Sequence, residues 1–237
     1  MTLFPTEQWL AEYGRLLDES DALDDVSVGW GVGFDGDIRL VIDDVPLAET
    51  TLDELPPRVL ADLPEHVRAG VGEVTLADAP DRFDEHVRPS LPDVVQDLLR
   101  QIEENVHDGA IHAHVGLREG SVTAVETLTD PDARDAGFVI HGSLTTWQGI
   151  LDGRPAVSAL MTGDLTVQGN QVRLLRYSSM LGLLGEVAAD VGTTHLFAEP
   201  GPSVTRDVVD AATRPGVAVQ RTAERQVTRT LRDLSLL

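Results

Sequence analysis

The sequence predicts an α+β domain: a mixed, largely antiparallel β-sheet covered by helices on one side, with a helical insertion at about residues 46–107. Three observations carry this. Apolar residues alternate around turn signals at 28–42 and 111–127, the period-two pattern of β-hairpins. Apolar residues recur at helical spacing near 5–17, 91–107 and 171–190. The strands come in hairpins with helices gathered to one side, instead of alternating one by one with helices as a doubly wound sheet requires.

Residues 5–17 are expected to form the first helix, with Pro5 in its first turn and Trp9, Tyr13, Leu16 and Leu17 along one face. In "VGWGVGFDGD" (28–37), Val28, Trp30, Val32 and Phe34 alternate with Gly29, Gly31 and Gly33, and beyond the Asp-Gly turn Ile38, Leu40 and Ile42 continue the alternation. This reads as a hairpin whose first strand has a bare glycine face, open to close approach by another backbone or a ligand. A dinucleotide loop is rejected, because G-x-G-x-x-G must open a helix after a strand.

From 46 to about 107 the pattern turns helical and proline-punctuated. "TLDELPPRVLADLPEHVRAGV" predicts one or two short helices. "SLPDVVQDLLRQIEENV" predicts a longer one, with Ser90 as cap, Pro92 in the first turn and a stripe of Val94, Val95, Leu98, Leu99, Ile102 and Val106. Next come the hairpin "AIHAHVGL"–"REG"–"SVTAVETL", the strand "AGFVIHGS" and the helix "TWQGILDG". The short helix "PAVSALMTG", the strand "DLTVQGN" and one apolar helix over 171–190 complete the order.

Charge and composition narrow the function. Forty acids face 18 bases, every one an arginine, for a net charge of −22. A nucleic-acid partner is excluded, since neutralising phosphates needs a basic stripe. Such self-repulsion loosens a compact chain in dilute buffer but is screened in molar salt, where the Debye length is about 3 Å. The expectation is a protein of a salt-accumulating cytoplasm. Cysteine is absent, which removes disulfides, thiol nucleophiles and thiolate metal sites. Neither a leader nor an apolar run of transmembrane length is apparent. Residues 1–197 carry 35 acids against 12 arginines (−23), whereas 198–237 carry 5 against 6 (+1). A boundary at "AEPGP" is expected, with one domain over 1–197 and a partly helical or flexible tail over 198–237, where Arg221, Arg225, Arg229 and Arg232 fall at helical intervals.

Catalytic signals are weak. His112 and His114 share one side of a strand, but a metal needs three or four ligands and nothing nearby in sequence completes the set. No G-x-S-x-G elbow occurs. The hydroxyls of Tyr177, Ser178 and Ser179 could meet a ligand head group or bond back to helix carbonyls. No nucleophile, base and oxyanion site assemble, so neither enzyme activity nor a cofactor is expected.

The stretch "AGFVIHGSLTTWQGILDGRPAVSALMTGDLTVQGN" and the apolar helix after it resemble the C-terminal half of the sterol-carrier-protein-2 (SCP2, lipid-transfer) family. The matching positions are Phe138 and Ile140, Trp147, Gly153, Ala159 to Gly163, Leu165 and Val167, Gly169, and Leu174 onward. The pattern departs at Asn170, where the family usually has Asp. The resemblance implies a hydrophobic small molecule or lipid (isoprenoid, acyl or sterol-like) held in a tunnel between sheet and helices, and the excess of acids adds the expectation of a halophilic archaeal member. It implies Trp30, Phe138, Ile140, Trp147, Met161, Leu165, Leu175, Met180 and Leu184 near that ligand. Each methylene moved out of water gains about 0.8 kcal/mol, so a long chain would bind without a charged anchor. The alternative is the same fold as a protein–protein or regulatory module, its cavity filled by side chains.

Overall fold

The computed structural model describes residues 2–61, 68, 70–83 and 86–197. All lie in the first of the two units into which the chain divides, 1–197 and 198–237. The arginines of the tail fall outside the described residues.

β1 (Thr2–Phe4) pairs in parallel with the last described strand, β8 (Thr193–His195), in a small sheet of its own. α1 (Glu7–Asp18) follows, and its N-cap is Thr6, whose Oγ1 accepts the Trp9 N–H at 3.3 Å. Pro5 therefore stands before the cap and not in the first helical turn. Trp9, Leu10, Tyr13 and Leu17 form the buried face of α1. Gly14 lets this helix sit directly on the sheet, for a Cβ there would fall 2.9 Å from Val125. α2 (Asp21–Val26) comes next.

The first half of the expected hairpin at 28–42 is not a strand. Residues 28–33 run through consecutive turns, with Gly29, Gly31 and Gly33 at φ +82, +77 and +74. Those left-handed conformations break the ladder every second residue, and only glycine adopts them without steric cost. Val28 and Val32 are thrown outward, while Trp30 is fully buried against Phe34, Phe138 and Tyr177. The second half does form a strand, β2 (Ile38–Asp43).

The described part of 46–92 contains short turns, helical residues at 68 and 70–71 within the stretch expected to hold one or two short helices, and the four-residue α3 (Ala79–Arg82), with a lone bridge between Thr51 and Thr75. α4 (Asp93–Asn105) has Pro92 as its N-cap, two residues later than the expected Ser90; Ser90 ends a 3-10 turn. Val95, Leu98, Leu99 and Ile102 are buried as the stripe predicts, whereas Val94 is exposed and Val106 already belongs to the two-residue β3 (Val106–His107).

β4 (Ala110–Arg118) and β5 (Ser121–Thr127) make the second hairpin, with a bulge between Gly116 and Leu117. β6 (Phe138–Ser143), α5 (Leu144–Leu151), α6 (Ala156–Thr162) and β7 (Leu165–Gly169) follow in the expected order. The 171–190 stretch is two helices, α7 (Gln171–Arg176) and α8 (Ser178–Asp190), because Tyr177 at φ −105, ψ 34 interrupts the helix to place its ring on Trp30.

The main sheet has the order β3-β4-β2-β6-β7, with β5 also on β4, and every pair is antiparallel except β2–β6. The architecture is α+β, and its register sorts the side chains. Ile38, Leu40 and Ile42 share the front face with Val115, Ala113 and Ile111. Arg39 and Val41 share the back with His114 and His112. Helices α1, α5, α6 and α8 gather over the front, and one continuous apolar core joins them to it. Among the described residues no helix is long and apolar enough to cross a membrane.

Candidate functional site

A cavity of about 80 Å³ lies between the front of the sheet and the helices. Ile38, Leu40, Ala113, Val115 and Ile140 pave its floor. Trp9, Leu10 and Tyr13 of α1 and Leu181, Leu184 and Ala188 of α8 roof it; Trp147 and Ile150 of α5 and Leu98 and Ile102 of α4 close its sides. Small residues create the gap. Ala113 sits in the floor between larger β-branched neighbours, and Ala188 faces it from α8; Gly185 instead lets α8 close on α6, for a Cβ there would lie 3.0 Å from that of Ala156.

The aromatic walls present only apolar surface inward, because their polar edges are consumed by the protein. Trp9 Nε1–H donates to Thr193 Oγ1 at 2.8 Å, Tyr13 O–H to the Leu184 carbonyl at 3.1 Å, and Trp147 Nε1–H to the Val41 carbonyl at 3.0 Å. Complete burial pushes the Tyr13 phenol far up, so it stays neutral.

One end of the cavity is polar. There the start of α1 meets the last turns of α4. The Glu7 N–H donates to Gln101 Oε1 at 2.9 Å, and Arg100 bonds Glu7 Oε2 at 2.7 Å. Asn105 Nδ2 donates to Glu7 Oε1 at 3.0 Å. The Arg100 guanidinium, helped by Asn105 and opposed by burial, holds the Glu7 carboxyl below the usual range, so it is ionised and balanced in place. Two atoms at this end have no partner: Asn105 Oδ1, on a side chain only 3% exposed, and Thr127 Oγ1.

The structure separates the nine residues expected around a ligand. Ile140, Trp147, Leu165 and Leu184 line the cavity. Trp30 and Phe138 stack at 5.1 Å in a separate, closed aromatic cluster. Met180 is fully buried without reaching the cavity. Met161 is 74% exposed and Leu175 44%. Nor does the glycine segment widen the cavity: Gly29 borders a shallow outer cleft with Phe34, Arg173 and Tyr177. The residues missed were Trp9, Tyr13, Ala113, Gln101 and Asn105. The helical stripe containing Trp9 and Tyr13 was visible, but nothing in the chain order told that α1 would roof the same gap as α8.

His112 and His114 project from the back of the sheet, away from the cavity. Burial drives the pKa of both rings down; near His112 the Arg39 charge adds to this, and near His114 the Asp37 carboxylate, 3.4 Å away, opposes it. Among the described residues no group of three or more His, Cys, Asp or Glu side chains is placed to hold a metal ion.

Residues 82–182 match the SCP-2 sterol transfer family. The match contains most of the stretch that carries the resemblance, and it runs from the end of α3 into α8. No curated protein matches the chain. Two solved structures are similar. The crystal structure of sterol carrier protein 2 shows 21% identity and a TM-score of 0.44, covering 79% of this chain and 98% of its own. The solution structure of a conserved hypothetical protein from Thermus thermophilus shows 19% identity and a TM-score of 0.46, covering 80% of this chain and 90% of its own.

Proposed function

We propose, on the premise that residues 82–182 match the SCP-2 sterol transfer family, that this chain binds and carries a hydrophobic ligand non-covalently between sheet and helices. The ligand is an isoprenoid, acyl or sterol-like lipid. The observation that carries the reading is an apolar cavity in the one layer where a packed seam would otherwise run, with aromatic walls whose polar edges are already bonded. Burial of the hydrophobic chain drives binding, and the protein acts as carrier and not as catalyst.

At about 80 Å³ the cavity holds a handful of waters, well below the roughly 300–1,000 Å³ of ligand pockets. A lipid chain enters when the roof lifts. The small volume also favours a second reading, in which the interior is simply filled and the fold serves as a partner-binding module.

Titration with the uncharged apolar fluorophore diphenylhexatriene, in dilute buffer and in molar KCl, separates the two. The carrier reading expects a saturable rise in emission, reversed by acyl or isoprenoid chains. Ala113→Leu or Ala188→Leu, which fill the gap from floor and roof, should weaken it about tenfold or more while the thermal transition stays cooperative. Absence of saturable binding in the wild-type protein would overturn the carrier reading and leave the second.

A further inference from the structure

The polar end of the cavity has a definite hydrogen-bonding demand. Asn105 is buried at the junction of α4 and β3, and its Nδ2–H is spent on Glu7 Oε1 at 3.0 Å. That bond also fixes the amide's orientation, because the reverse would set a carbonyl oxygen against a carboxylate. Oδ1 is thereby left as a buried acceptor without a donor. Thr127 comes to the same end from the other side. β3 and β5 both pair with the same edge of β4, Val106 opposite Ile111 and Thr127 opposite Ala113. Thr127 thus shares the front face with Ala113, and its Oγ1 is likewise buried and unpartnered.

We infer that Asn105 and Thr127 form a head-group site for a ligand ending in an uncharged hydroxyl. This rests on the carrier reading and names the head of its cargo. One O–H satisfies both protein atoms: it donates to Asn105 Oδ1 and its oxygen accepts from Thr127 Oγ1–H. A carboxylate accepts from Thr127 but has nothing to donate to Asn105, and it must approach the ionised Glu7. Arg100 does not offset this, since its guanidinium is shared among Glu7, Asp97 and Glu104. A bare hydrocarbon leaves both protein atoms unpaired, and a buried polar group without a partner is costly. The site therefore ranks an alcohol above both an acid and an alkane of the same chain length.

The test is a set of titrations at neutral pH with dodecan-1-ol, dodecanoate and dodecane, followed by the emission of the cavity tryptophans Trp9 and Trp147. The alcohol should bind about tenfold tighter than the carboxylate, as one well-made buried hydrogen bond provides. Thr127→Val, which removes a bond the carboxylate also makes, should weaken both oxygen-bearing probes and cut the preference for the alcohol over dodecane about tenfold, and Thr127→Ser should retain it. Asn105→Leu should erase the preference over the carboxylate, with circular dichroism recording that the variant is folded; should it not fold, the Thr127 pair decides alone through the comparison with dodecane. Equal or reversed preference in the wild type, or a preference over dodecane untouched by Thr127→Val, overturns the head-group site while saturable binding keeps the carrier reading. Failure of all three probes to bind overturns the carrier reading and the head-group site with it.

Discussion

His112 and His114 are held neutral by burial at the back of the sheet, and this gives the fold a pH dependence of definite sign. In the unfolded chain both rings titrate near the ordinary histidine value of about 6.5. In the folded protein they titrate lower, so between the two values the unfolded state binds more protons. Their contribution is complete above about pH 6.5 and is lost as pH falls from there toward the folded values. Glu7, whose folded carboxyl lies below its ordinary range, acts in a separate window: its contribution is present above about 4.3 and lost below it. The thermal midpoint should therefore drop between neutral pH and pH 5, and His114→Gln should flatten that drop. A midpoint level across this range would show that the rings titrate normally. These histidines were conspicuous in the sequence as a same-side pair. Which side they took, and that Arg39 and Asp37 face them, depended on register with β2.

At the scale of elements, the strands and helices from residue 93 to 170 were legible because each carries its own local signals. Ser143 caps α5 with its Oγ accepting the Thr146 N–H at 3.2 Å, and Gly163 closes α6 in the left-handed conformation. Asn170, the departure from the family pattern, works as the N-cap of α7: its Oδ1 accepts the Arg173 N–H at 3.0 Å. Asp and Asn cap almost equally well, which explains why the family's usual residue can be replaced here. Asn170→Asp should leave thermal stability within a few tenths of a kcal/mol, and Asn170→Ala should lower it by about 1 kcal/mol, both read from denaturant unfolding. An Ala variant as stable as wild type would remove the cap from the account. Two elements misled for opposite reasons. The 28–34 segment alternates like a strand, yet its glycines serve turns that wrap Trp30. The 171–190 segment is apolar enough for one helix, yet it breaks at Tyr177 to complete the same aromatic cluster. Both irregularities answer to contacts made by residues distant in the chain.

For the whole molecule, charge is the governing property. Eighteen arginines cannot neutralise 40 acids, and repulsion among the excess carboxylates is weakened as salt shortens the screening length. Arg100 and Arg15 are each ringed by two or three carboxylates, so even the paired arginines sit in a negative field. The thermal midpoint should rise continuously from dilute buffer to molar KCl. A midpoint that falls or stays constant would show that surface repulsion contributes little to stability.

Composition, charge and the order of local patterns belong to the sequence alone: an acidic α+β chain without cysteine, with the β4–β5 hairpin and helices apolar on one face. These were readable because period, capping and net charge act over a few residues or over the whole chain at once. The cavity was different. Its floor and roof come from α1, β2, β4, β6 and α8, and it exists because Ala113 and Ala188 leave unfilled space where larger side chains converge. Its polar end exists because Glu7 reaches Asn105 across 98 positions of chain. Such a site is a sum of small shape mismatches among distant residues, and only the packed fold adds them up.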